Sequence, residues 1–369
     1  MNQLFRWDQT GLFLLALAAG ILPFAVPEVC AAALREGLTL CSGPLLLSLF
    51  PFLVVSRLLV QCPESDLLAM PFRLAAWGIG IRTPCAARVL CIGFLGGFAP
   101  AASAAAQAVR TGQLTAEEAD ALLPACICSG PSFVVLTVGQ SLLGSAELGV
   151  LLFASQITAN YLTAALLNRF AGVRSVKPES AAPASPAPPR LDEILADAAI
   201  TYCKLCGFIL FFRMLAAGAG ALLPAGAGTL CSILLEVCSG CDLASRTGRW
   251  GSLLCCVALS VQGLSVLLQV RTICPPEMTL RPLYRSRLLH LPLSLALFYL
   301  LLPGGEADVF STLPARVLLM RRVPPDCALL VFAVCCMAAC TLRSGIRQVE
   351  QKQMARNAGG CCINSKTLL

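Results

Sequence analysis

Residues 91–144 read CIGFLGGFAPAASAAAQAVRTGQLTAEEADALLPACICSGPSFVVLTVGQSLLG. The stretch is apolar enough to lie in a membrane, yet it is broken twice. Gly96-Gly97-Phe98-Ala99-Pro100 interrupts the first part and Ser129-Gly130-Pro131 the second, with Arg110, Glu117, Glu118 and Asp120 in a polar turn between them. Lipid offers no hydrogen bonds, so broken backbone at membrane depth must be buried in protein or line a cavity. In transporters that cavity holds the substrate. The stretch therefore reads as half of a transport site.

The whole chain supports this class. Its 369 residues are 57% hydrophobic and only 13% charged, with a mean hydropathy of +0.79. A soluble domain carries roughly 25% charged residues. The net charge of +7 is spread over short loops and the tail, the pattern of the positive-inside rule rather than of a nucleic-acid surface. Most of the 21 cysteines lie in apolar runs such as Cys255-Cys256, where a free thiol behaves as a small hydrophobe. So many thiols fit a bacterial inner membrane that faces a reducing cytosol. The Cys203/Cys206 and Cys238/Cys241 pairs have metal-ligand spacing. Their apolar surroundings and the single histidine, His290, argue against a metal or other cofactor.

Along the chain, the sequence predicts a first apolar helix over about 11–26 and a short amphipathic helix over 27–41. A span over 45–60 follows, bent at Pro51, and then an interfacial segment over 64–77. Thr115-x-x-Glu118 fits a capping box that starts a helix, which Pro124 and then Gly130-Pro131 break. A full span over 145–170 holds Gln156 and Asn160, polar groups that face a bundle or a cavity. Residues 1–172 form the first membrane half, and the Pro/Ala/Ser-rich 173–190 is an extended linker. The second half, 191–342, has a long helix over about 194–216, a span over 222–237, and an apolar run over 252–270 interrupted at Gln262-Gly263. A basic loop (Arg271, Arg281, Arg285, Arg287) and spans over 289–302 and 325–342 follow. A polar tail, 343–369, closes the chain on the cytosolic side.

The halves echo each other. Arg110-Thr111-Gly112 precedes a segment that breaks at Ser129-Gly130-Pro131, and Arg246-Thr247-Gly248 precedes one that breaks at Gln262-Gly263. Upstream lie Gly96-Gly97 in one half and Ser239-Gly240 in the other. Paired interruptions in corresponding positions point to a transporter site at a repeat interface. The predicted fold is an all-α polytopic membrane protein of two pseudo-repeated halves with broken, re-entrant helices.

Glu236, at the end of an apolar run, carries a coupling proton or orients Arg246; the plainer reading is an interfacial acid that caps a turn. Ser129-Gly130-Pro131 and Ser239-Gly240 present half-helix N–H groups to an anion, or are kinks satisfied by neighbouring helices. Arg213, Arg246 and Lys204 attract a dicarboxylate, or snorkel singly to the interface. Gln262, Gly263 and Ser265 line the second break or make an interhelical hydrogen bond. Gly96, Gly97, Phe98, Pro100 and Cys128 complete the substrate-site candidates. No nucleophile–base–orienter set is present, so an enzyme is not expected.

PEVCAAALREGL, LLLSLFPFLVVSRLL, GGFAPAA, GQLTAEEADALL, CSGPSFV, LLEVCSG and SVQGLSVLLQV span about 27–302. Together they resemble the sporulation integral membrane proteins of the YlbJ (SpoVV) type, which carry a nucleoside-recognition or Gate domain. That resemblance implies a fold like the concentrative nucleoside transporters, with re-entrant hairpins. It implies a multi-pass protein of the bacterial cell membrane, at the outer forespore membrane, that moves a small anionic or aromatic solute, dipicolinate most specifically, into the developing spore. A coupling ion (H+ or Na+) and a homo-oligomer belong to the same expectation, and nucleic acid does not. The alternatives are a structural protein of spore-envelope assembly and a nucleoside transporter. The chain departs from the family pattern at Gly96–Pro100, where a Ser-Gly-Tyr-Pro-like turn is usual, and at Cys128, where Asn is usual. Both changes remove hydrogen-bonding groups.

Overall fold

Apolar helices of this density leave their backbone only itself to bond with, and the architecture follows. The computed structural model describes residues 9–61, 65–171 and 190–302. The linker up to residue 189, the expected span over 325–342 and the tail lie outside the described residues. Among the described residues every regular element is a helix and none is a strand. The first half comprises α1 (Gln9–Ala25), α2 (Pro27–Ser42), α3 (Pro44–Gln61), α4 (Ser65–Leu68), α5 (Met70–Gly78), α6 (Pro84–Gly96), α7 (Phe98–Arg110), α8 (Ala116–Cys126), a π-type helix (Ser132–Leu142) and α9 (Ala146–Ala171). The second comprises α10 (Leu191–Leu222), α11 (Ala225–Leu235), α12 (Val237–Ser245), α13 (Gly251–Val261), α14 (Gly263–Ile273) and α15 (Arg281–Leu301). Among these residues four segments are long and apolar enough to cross a membrane: 27–60, 146–171, 191–222 and 248–273.

Local chemistry sets the boundaries. Prolines stand at the first turns of α2, α5, α6 and α15, where a missing N–H costs nothing. The Thr115–Glu118 capping box is made in both directions, and Glu118 also accepts a hydrogen bond from the Thr83 hydroxyl at 2.6 Å. Small residues bring helices close: a methyl on Gly37 of α2 would stand 2.8 Å from Leu210 of α10, and one on Gly218 would stand 2.9 Å from Leu22 of α1. The segment expected at the interface leaves Leu67, Met70, Leu74 and Trp77 exposed.

Two expectations are corrected. Pro124 does not end α8. It removes one N–H near the end of the helix, and the Ile127 amide still reaches Leu123 O at 2.9 Å, so the break comes at 127–130. Arg281, Arg285 and Arg287 are not in a loop, because α15 starts at Arg281 rather than near residue 289. Its entry is fixed from the other half of the chain. Asp120 of α8 accepts from the Thr279 amide and hydroxyl at 2.8 and 2.6 Å and from the Leu280 amide at 3.1 Å.

In each half a helix, a break and a helix are followed by an Arg-Thr-Gly turn and then by another helix, break and helix. The first set is α6, Gly97, α7, residues 110–112, α8, residues 127–130 and the π-helix. The second is α11, Glu236, α12, residues 246–248, α13, Gln262 and α14. The two turns share a geometry. Thr111 and Thr247 return their hydroxyls to carbonyls of the preceding helix, at 3.0 Å (Gln107) and 2.7 Å (Ala244). Gly112 and Gly248 take positive φ of 70° and 65°.

Candidate functional site

Four helix breaks lie in crossed pairs. Gly97 has φ +80°, and a methyl there would stand 2.6 Å from the Gly130 amide nitrogen, so the first two breaks touch backbone to backbone. Gly263 has φ +67°, and a methyl there would stand 3.0 Å from Glu236 N and from Leu235 O. The other two breaks therefore touch in the same manner. Gln262 joins the pairs: its side-chain amide donates to Ile127 O at 3.3 Å, and Asn160 donates to the same carbonyl at 3.3 Å. Its own backbone is left-handed, with φ 62°. This is a strained state for a glutamine and one that clusters at functional sites.

A cavity of about 60 Å³ sits among three of these breaks. Its walls include Gly96 and Phe98 from the first, Ser129, Gly130 and Ser132 from the second, and Glu236 and Cys238 from the third, with Gln269 of α14 and apolar side chains of α3. At about 10–15 Å³ per water it holds roughly four to six water molecules. Ligand pockets begin near 300 Å³, so a ring-sized solute enters only if the helices part.

Glu236 is 2% exposed. Its carboxylate accepts from the Cys238 amide at 2.8 Å and from the Ser239 amide and hydroxyl at 2.7 and 2.8 Å. The N-terminus of α12 is thus occupied by its own cap, which corrects the expectation that Ser239-Gly240 offers free N–H groups. Glu236 does not orient Arg246 either: Arg246 pairs with Asp242 at 2.7 Å, one helical turn back. The Gln269 Oε1 is buried without a partner, while its Nε2 donates to the Ser265 hydroxyl at 2.9 Å.

A larger cavity of about 500 Å³ is lined by Arg213, Glu36, Ser239, Asp242, Arg246 and Thr229 among others. Arg213 pairs there with Glu36 at 2.8 Å. The dicarboxylate candidates Arg213 and Arg246 share this chamber, and Lys204 stands exposed outside it. Neighbouring residues line the two chambers, Glu236, Val237 and Cys238 the first and Ser239 the second.

The remaining candidates pack behind the breaks and line neither chamber. Pro100 packs on Gly96, Gly240 presses on the Ile233 backbone, and Cys128 is buried beside Gly93 O. Gly97, Pro131, Gln262 and Gly263 shape the breaks without lining either chamber.

Behind the second break lies a polar cluster that sequence reasoning took for a basic loop and simple helix contacts. Arg287 is 9% exposed and donates from Nη2 to Asn160 at 3.1 Å, while its Nη1 has no partner. A charge buried this deeply is costly unless it is paired and hydrogen-bonded. His290 and Gln156 meet at 3.2 Å, Gln156 donates to the Ser260 hydroxyl at 2.9 Å, and Ser260 bonds Ser294 at 2.6 Å. The signal was in the sequence: Leu283, Arg287, His290, Ser294 and Phe298 recur at spacings of three and four, one face of a helix, and all five are buried.

Among the described residues no group of three or more His, Cys, Asp or Glu is placed to hold a metal. Comparison with known proteins found no matching family model, no matching curated relative and no matching solved structure.

Proposed function

We propose that this chain is a multi-pass membrane carrier for a small solute, built as two related halves whose re-entrant, broken helices meet at one site. The observation that carries the reading is the inner cavity, which takes its walls from three separate helix breaks. Broken helices around a midplane cavity are the architecture of secondary transporters. The matching order of breaks and Arg-Thr-Gly turns in the two halves supports the repeat. The larger chamber holds Arg213 and Arg246, each paired with an acid, Glu36 and Asp242, and a small anion would enter it by taking the place of one of those carboxylates. Dipicolinate in the membranes of a spore-forming bacterium is the specific substrate that the YlbJ-type resemblance suggests.

A neutral ring-bearing solute such as a nucleoside is the second reading. It is favoured by the lining of the inner cavity, where Glu236 is the one carboxylate among serines, a glutamine and apolar side chains. Uptake of labelled dipicolinate into vesicles containing the purified protein, with a nucleoside competitor and a Glu236→Gln control, separates the readings. Saturable uptake that is lost in the variant is expected. If folded, inserted protein moves neither solute, the substrate assignment fails and an assembly role becomes the better reading.

A further inference from the structure

The chain neutralises its other well-buried arginines with acids. Arg57 meets Asp197 at 2.6 Å, Arg88 meets Asp66 at 2.9 Å, and Arg213 meets Glu36 at 2.8 Å. Arg287 departs from that rule. The helices packed on α15 are α8, α9 and α13, and their acids can be accounted for one by one. Glu118 serves Thr83 and Thr115, and Asp120 serves Thr279 and Leu280. Glu117 and Glu147 are exposed, and α13 and α15 contain no acid. Among the described residues, what faces Arg287 is neutral: Asn160 at 3.1 Å and Ser286 at 3.3 Å. Further buried polar atoms without partners lie on this and neighbouring elements: His290 Nδ1 one turn along α15, Thr163 Oγ1 one turn along α9 from Asn160, and Gln262 Oε1.

A native interior leaves few such atoms, and a cluster of them marks an absent water, ion or ligand group. A buried charge is retained when it is paired. We propose that Arg287 is the cationic post of a buried anion site behind the 127–130 break, taking a small monovalent anion: a halide, or the carboxylate of a small organic acid. Nη1 supplies the free donor, and Asn160 holds the guanidinium by its other nitrogen. Because Asn160 also donates to Ile127 O, occupancy would stiffen the break from behind. The inference is one of binding and stands whether or not the chain moves a solute.

The test is thermal unfolding of the full-length protein in detergent, titrated with chloride in one arm and formate in another against a gluconate background. The wild type is expected to gain stability saturably in at least one arm, and the arm that responds identifies the source. Arg287→Gln is expected to weaken that anion by about ten-fold or more, the worth of one charge-assisted hydrogen bond; Arg287→Lys keeps the charge and loses less. No response of the wild type to either anion overturns the proposal, as does an undiminished response in Arg287→Gln. Should that variant not fold, wild-type crystals soaked in the anion that responded decide, with bromide standing in for chloride. Density for that anion beside Arg287 is expected, and its absence there overturns the site.

Discussion

A methyl group on Gly97 would stand 2.6 Å from the Gly130 amide nitrogen, closer than real side chains ever approach. The relationship is not symmetrical. A methyl on Gly130 would meet nothing nearer than Gly96 O at 3.4 Å. Gly97→Ala must also carry a side chain at φ +80°. It is expected to cost about 1–3 kcal/mol, whereas Gly130→Ala should change stability by less than about 1 kcal/mol in either direction. Thermal unfolding of the two variants in detergent checks this, and equal costs would mean that the breaks do not touch as described.

Asp120 should be among the most sensitive polar residues, since three donors from the start of α15 converge on it. Asp120→Ala leaves those donors unmet and is expected to cost about 1–3 kcal/mol, with Asp120→Asn recovering part through its remaining oxygen. The same unfolding assay, with limited proteolysis near Thr279, reads both the loss and its location.

Cys238 lines the inner cavity and is partly exposed, while Cys126, Cys128, Cys241 and Cys255 are buried. A small thiol-directed reagent should therefore modify Cys238 ahead of these four, and a solute held in the cavity should slow the reaction. Cys274, in the loop after α14, is the internal control. Its side chain is buried, so a reagent reaches it only after the partly exposed Cys238. Mapping by mass spectrometry decides, and labelling of Cys274 before Cys238 would contradict the placement of the chambers.

The two arginines of the larger chamber should separate by charge of substrate. Arg213→Gln is expected to raise KM for a dicarboxylate and to leave a neutral nucleoside untouched. Arg246→Gln should do less, because its pair with Asp242 is 63% and 32% exposed and exposed pairs contribute about 0–1 kcal/mol. Equal effects of Arg213→Gln on charged and neutral solutes would remove the chamber from anion recognition.

Much of the fold was legible because its cues are local. The Thr115–Glu118 box, Ser129-Gly130-Pro131 and Gln262-Gly263 each act through their own backbone, and the helix ends fall where those residues put them. What escaped was decided by distant partners. Nothing near Asp120 in the sequence announces Thr279, and nothing near Glu236 announces that its carboxylate turns onto the amides of its own helix rather than towards Arg246. Arg287 was hidden by its neighbours: Arg281 and Arg285 gave the segment the look of a loop. Only its position on the Leu283–Phe298 face set it apart.

Glu236 to Ser239 is one turn of backbone shared by two cavities. Glu236 and Cys238 face one of them, and Ser239, whose amide and hydroxyl Glu236 holds, faces the other together with Arg213 and Arg246. A solute that drew Ser239 away would release the Glu236 carboxylate on the other side. In that event the coupling is reciprocal: each cavity's occupant would change the other's affinity by the same factor.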